Sequence, residues 1–86
     1  MRRDPEFFEQ AELDLLYMAR TLRDALKLER ILGEAAVDYL VETGTYTAGF
    51  LLKRELAGVF FYVAPQIAEQ ARQVLSANGY RPYTGE

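Results

Sequence analysis

Leu56-Ala-Gly-Val-Phe-Phe-Tyr-Val-Ala-Pro-Gln-Ile-Ala-Glu-Gln-Ala-Arg-Gln-Val-Leu75 is the longest apolar run of the chain, and it turns directly into its clearest helix. Val59 to Val63 is β-branched and aromatic, the composition of a buried strand. Alternate side chains of a strand point to opposite faces. Val59, Phe61 and Val63 therefore share one face, and Phe60 and Tyr62 the other. Both faces are apolar, although a sheet covered on one side only normally shows polar residues on its open side. Something must cover Phe60 and Tyr62: another segment, a partner or a flat ligand. Pro65 then opens a helix, its fixed φ and missing N–H suiting the first helical position. Ile67, Ala68, Ala71, Val74 and Leu75 form one apolar stripe, and Asn78-Gly79 ends it with residues that tolerate positive φ.

Around this unit the chain is short. Its 86 residues make one domain with a modest core. Half the residues are apolar and 27% charged, an ordinary globular composition. There is no cysteine, which excludes disulfides, zinc thiolates and thiol nucleophiles. There is no histidine, which removes the commonest general base and metal ligand. No apolar run approaches the ~20 residues of a membrane span, and Met1-Arg-Arg-Asp-Pro5 leads into no apolar signal segment. A cytoplasmic protein without membrane contact is the simplest expectation. The net charge of −3 lies entirely in residues 1–14, where Arg2 and Arg3 face Asp4, Glu6, Glu9, Glu12 and Asp14. The balanced remainder lacks the basic footprint of a duplex DNA binder.

Taken in order, Asp4-Pro5 marks a helix start, with Phe7, Phe8 and Ala11 on its apolar side. Residues 1–14 thus form an acidic helical extension to a domain spanning 15–84. Asp14 to Ala19 is the first strand. Thr21-Leu-Arg-Asp24 fits a capping box, and the helix after it has a wide apolar face that includes Leu22, Ala25, Leu26, Leu28 and Leu32. Val37 to Val41 is the second strand. Thr43 to Gly49 is small and polar, as hairpin loops are. Phe50 to Lys53 either continues the second strand beyond a bulge or forms its own strand, paired with 58–63 through a tight Arg54-Glu55-Leu56 turn. Tyr80 to Tyr83 could add a short edge strand. This order, βαββα with room for a final β, is α+β. It matches the ferredoxin-like split β-α-β arrangement, an antiparallel sheet with two helices crossing one face, plus a short N-terminal helix.

Few residues suggest chemistry. Glu6, Glu9 and Glu12 recur every three positions, the pattern of a solvated helix face, and di-iron bundles need Glu-x-x-His motifs that a chain without histidine cannot supply. No catalytic residue, metal site or cofactor is expected. The Thr43–Gly49 loop could hold a small anion with backbone N–H groups, through Thr43, Gly44 and Thr45 with Lys53 and Arg54 beside them. It lacks the Gly-Lys-Ser/Thr of a P-loop.

Two resemblances bear on function. Leu16-Tyr-Met-Ala-Arg-Thr-Leu22 and Gly58-Val-Phe-Phe-Tyr-Val63 resemble the first- and third-strand motifs of RNA-recognition domains, which stack bases on exposed aromatics. Here Val59 stands in place of the first stacking aromatic, and no basic residue precedes Gly58. More of the chain, residues 16–79, resembles a family of short bacterial signal-transducing proteins with a ferredoxin-like fold related to the PII regulators. Leu16–Ala19, Ala25–Ala35, Val37–Val41 and Val63–Leu75 follow that family's plan, with Ala36 where it has glycine. The likeness implies a regulatory or adaptor role and transfers no catalytic residue. The resulting expectation is a non-enzymatic module working through protein contact, as a homodimer or with another protein. Phe60, Tyr62 and Leu40, together with Phe7 and Phe8, are its candidate interface.

Overall fold

The computed structural model describes residues 1–9, 12–49 and 51–84. It contains strand β1 (Asp14–Ala19), helix α1 (Leu22–Glu34), strands β2 (Leu40–Ala48) and β3 (Arg54–Val63), and helix α2 (Ala68–Ala77). The sheet is antiparallel with the order β1-β3-β2. β3 therefore lies between the two strands that α1 connects. The architecture is a small α+β fold, a three-stranded antiparallel sheet with two helices.

Each helix begins and ends for a local reason. Thr21, in an extended conformation, accepts the Asp24 N–H on its side-chain oxygen at 3.1 Å, which is the expected cap of α1. At the other end Ala36 takes a left-handed φ of 58°, and the Val37 N–H returns to the Leu32 carbonyl at 3.0 Å. This closure usually employs glycine. Pro65 opens a single 3-10 turn, Pro65–Ile67, before α2 begins. Gly79, with φ 86°, lets the Tyr80 N–H reach the Leu75 carbonyl and ends it.

The core lies between the helices and one sheet face. Leu16, Phe61 and Val63 meet Leu28 and Leu32 of α1 and Leu75 of α2, all at most 1% exposed. Val59, Phe61 and Val63 are the covered face of β3, so Phe60 and Tyr62 point away from the helices. β1 carries a bulge at Leu16, where the register with β3 shifts. Leu15 and Met18 consequently share the outer face although they are three residues apart.

Several expectations are corrected. Thr43 to Ala48 is strand, not loop, and Arg54 to Leu56 is the start of β3, not a turn. Alternating threonines with Tyr46 between them favour a pleated ladder over a turn. The reversal falls at Gly49 to Lys53, and the expectation of a strand there includes Phe50, which lies outside the described residues. Val37 and Asp38 precede β2: Val37 is 2% exposed and drops into the core, while Tyr39 bridges to Arg2 of the N-terminal segment. Among its described residues the N-terminal extension holds a 3-10 turn at Pro5–Phe8 and no α-helix, with no side-chain cap from Asp4. Residues 80–83 form no strand, although the Tyr83 N–H donates to the Leu16 carbonyl at 2.8 Å. The apolar face of α1 is also wider than its buried stripe, leaving Leu22 and Leu26 exposed by 71% and 56%. No helix among the described residues is long and apolar enough to cross a membrane.

Candidate functional site

The sheet face turned away from the helices is built in rows that cross the strands. Leu40, Tyr62 and Leu15 form the first row, and Glu42, Phe60 and Met18 the second. Gly44 and Gly58 form the third, Tyr46 and Leu56 the fourth. The glycines matter here. A Cβ on Gly44 would come within 3.1 Å of the Phe60 ring, and one on Gly58 within 3.3 Å of Met18 Cγ and the Tyr46 ring. The aromatic side chains thus lie down over the glycine row, which keeps this face flat.

Phe60, Tyr62, Met18 and Leu15 are each half-buried, and Leu40 is 8% exposed. None of the five belongs to the core cluster. Glu42 is the one acidic group in these rows. Arg20, at the end of β1, holds its guanidinium 5.9 Å from the centroid of Tyr46, within the range of a cation–π contact.

Of the expected interface residues, the structure brings Phe60, Tyr62 and Leu40 into one patch. Phe7 and Phe8 lie on the N-terminal 3-10 turn, packed edge to face at 5.1 Å, with the Arg3 guanidinium 4.4 Å from the Phe7 centroid. The expected anion-site residues are spread along the hairpin. Thr43 and Thr45 face the helix side, Gly44 faces the open side, Arg54 pairs with Ala48, and Lys53 lies in the turn. Successive N–H groups of a strand point in opposite directions, so this segment does not form the concave nest that anion binding uses.

Sequence reasoning missed Met18, Leu15 and Tyr46 as members of the face. A single-residue bulge hides the first two from a strict alternation, and the composition of a turn hides the third.

Each outer edge of the sheet has its own neighbour. Beside β1, Arg72 reaches Asp14 at 3.9 Å and donates to the Tyr83 carbonyl at 3.2 Å. Tyr17 meets Tyr80 edge to face at 5.6 Å. The C-terminal tail thus lies along that edge and, with Tyr17, Met18, Arg20 and Asp24, walls an open groove of about 520 Å³. Beside the start of β2, the Tyr39 N–H donates to Met1 O at 3.1 Å and the Arg3 N–H to Tyr39 O at 2.8 Å. Arg3 pairs with Asp38 at 2.8 Å. The Tyr39 hydroxyl donates to Glu29 Oε1 at 3.0 Å. Burial, reinforced by that carboxylate, pushes the Tyr39 phenol far above its ordinary value. Burial also raises Tyr17, with smaller contributions from Asp24 and Tyr80.

No known family, no curated protein and no solved structure matches the chain.

Proposed function

We propose that this is a ferredoxin-like domain whose fourth strand is reduced to the tail at 80–83. We further propose that it is a non-enzymatic regulatory or adaptor module, which works by holding another protein on its open sheet face. The position of β3 between the strands joined by α1 supports the fold, as does the tail's hydrogen bond beside β1.

One observation carries the function. Leu15, Met18, Phe60 and Tyr62, each partly exposed, form with the buried Leu40 beside Tyr62 a contiguous apolar patch on the side away from both helices. A patch of that kind, rimmed by polar groups, marks a contact surface. The fitting partner surface is flat and apolar. Phe60→Asp tests it. The variant is expected to keep its far-UV circular dichroism and to lose the partner that a photoreactive residue at Met18 captures from wild-type protein. Loss of the fold instead would show that Phe60 is needed inside the chain and would sink the proposal.

A second reading rests on Phe60, Tyr62 and Tyr46 sharing this face, with Arg20 against Tyr46. Single-stranded nucleic acids bind such platforms by stacking bases on aromatics near a cationic group. The experiment is a titration of short single-stranded RNA at low salt, followed by fluorescence anisotropy. Binding that vanishes in Phe60→Asp would favour this reading, and no binding would remove it.

A further inference from the structure

The two edges of the sheet are not alike. The outer edge of β1 is shielded by the C-terminal tail, through the Tyr83 N–H on Leu16 O. The outer edge of β2 is occupied only at its beginning. Tyr39 spends both its N–H and its C=O on the N-terminal segment, and among the described residues nothing pairs with this edge beyond that bridge. Backbone groups alternate in direction along an antiparallel strand. If Tyr39 points outward, so do Val41, Thr43, Thr45 and Thr47. Natural edge strands are normally blunted with charges, prolines or bulges. β2 runs nine residues without register shift and carries one charge, Glu42.

We propose that β2 pairs antiparallel with β2 of a second copy of this chain, about a two-fold axis at Thr45. The result is a six-stranded sheet in the order β1-β3-β2-β2-β3-β1. This stands independently of what occupies the open face, since the edge and the face are different surfaces.

The free edge runs from Leu40 to Ala48, so its middle is Gly44; the side chains place the axis one residue further on, at Thr45. An axis perpendicular to the sheet preserves faces, and each residue must therefore pair with one of the same face. Centring on Thr45 sets Thr45 against the partner's Thr45 and Thr43 against the partner's Thr47. The outward amides of these residues then make about six inter-strand hydrogen bonds, and threonine pairs are favourable cross-strand neighbours. On the other face Tyr46 comes beside the partner's Gly44, which has no side chain of its own and lies next to the Phe60 ring. Centring on Tyr46 would instead force two rings together.

The charges agree with this register. Glu42 comes beside the partner's Ala48, and Ala48 pairs with Arg54 in its own chain. Glu42 and the partner's Arg54 thus lie on one face in one row, about 10 Å apart at their backbones, with only an alanine between. Two extended side chains span that gap. Neither residue makes an ion pair within the described residues of the single chain. The two-fold axis makes the contact twice.

Apolar surface agrees as well. Leu22 lines a recess with Thr43, Ala57 and Val59, on the helix side of the sheet near β2, and Leu26 follows it one turn later on α1. Both are exposed in the single chain. Pairing at β2 extends the sheet as a floor beneath this flank. It also carries the partner's hairpin tip, with Leu51 and Leu52 exposed by 87% and 82%, past Val41.

Light scattering of the full chain tests the mass, expected at twice 9.8 kDa. Thr45→Pro removes an outward N–H that β3 does not use, and edge strands tolerate proline there. Its mass is expected to halve with the circular dichroism spectrum retained. Because that variant could disturb the strand, Thr45→Cys provides a second measurement in a chain with no cysteine of its own. Two copies are expected to join through a disulfide on mild oxidation. Thr43→Cys and Thr47→Cys are each expected to stay single and to join when mixed. A wild-type monomer at millimolar concentration would overturn the proposal. So would a dimer that survives Thr45→Pro, fails to cross-link through position 45 and is split by Phe60→Asp, because that result assigns self-association to the open face.

Discussion

Ala36 ends α1 in a conformation that suits glycine. Its φ of 58° brings the Val37 N–H back to the Leu32 carbonyl. An L-residue in this region carries a cost of about 1–2 kcal/mol, while glycine adds about 0.4–1 kcal/mol of freedom to the unfolded chain. Ala36→Gly is therefore expected to stabilise the protein by about 0.5–1 kcal/mol, seen as a rise of a few degrees in Tm. An unchanged or lower Tm would mean that the cap relaxes into another geometry. Tyr39 sets a pH response at the same scale. Its phenol titrates above the ordinary 10.0 in the folded chain because burial and Glu29 disfavour the phenolate. The folded state then holds its proton where the unfolded state loses it. That stabilisation is fully present below pH 10 and is lost as pH rises above it. Tyr17 acts in the same sense. Thermal melts should fall from about pH 10 upward. Tyr39→Phe should make that fall shallower, at a neutral-pH cost of about 0.5–1.5 kcal/mol for the lost hydrogen bond.

At the scale of the element, strand β1, helix α1 and the joint from β3 into α2 were legible because local chemistry and burial agree there. Thr21 caps α1, Pro65 opens the turn before α2, and the buried stripes fall within the apolar periods. The β2–β3 hairpin was not legible, because its composition and its environment disagree. Gly44, Gly58 and three threonines read as loop, yet the glycines are where aromatic rings lie down and the threonines face one side of a ladder. The candidate face was half legible: Phe60 and Tyr62 follow from alternation alone, while Met18 needs the bulge at Leu16 and Tyr46 needs the extended strand. Capping offers a measurable consequence. Thr21→Ala removes the acceptor for the Asp24 N–H and is expected to cost about 1 kcal/mol. Urea unfolding should show this as a lower midpoint at unchanged slope. A changed slope would point to an altered unfolded or native ensemble instead.

For the whole molecule the decisive property is that one thin core supports a two-sided sheet. A chain of this size has a total stability of about 4–13 kcal/mol. Phe61 is wholly buried between the sheet and both helices, in the cluster that joins Leu28, Leu32 and Leu75. Phe60, its neighbour in sequence, touches none of that cluster and lies across the open face beside Met18. Truncating a buried phenylalanine costs about 3–5 kcal/mol, a large share of the total, so Phe61→Ala should lower Tm by well over ten degrees or leave the chain unfolded at 37 °C. Phe60→Ala removes contacts from one side only and should shift Tm by a few degrees. Adjacent residues of the same type, replaced in the same way, thus separate the two faces in one pair of melts. If both variants unfold alike, the open face is a second core closed within the chain. If Phe60→Ala melts near the wild type, the face is free to be covered from outside, as an adaptor surface requires.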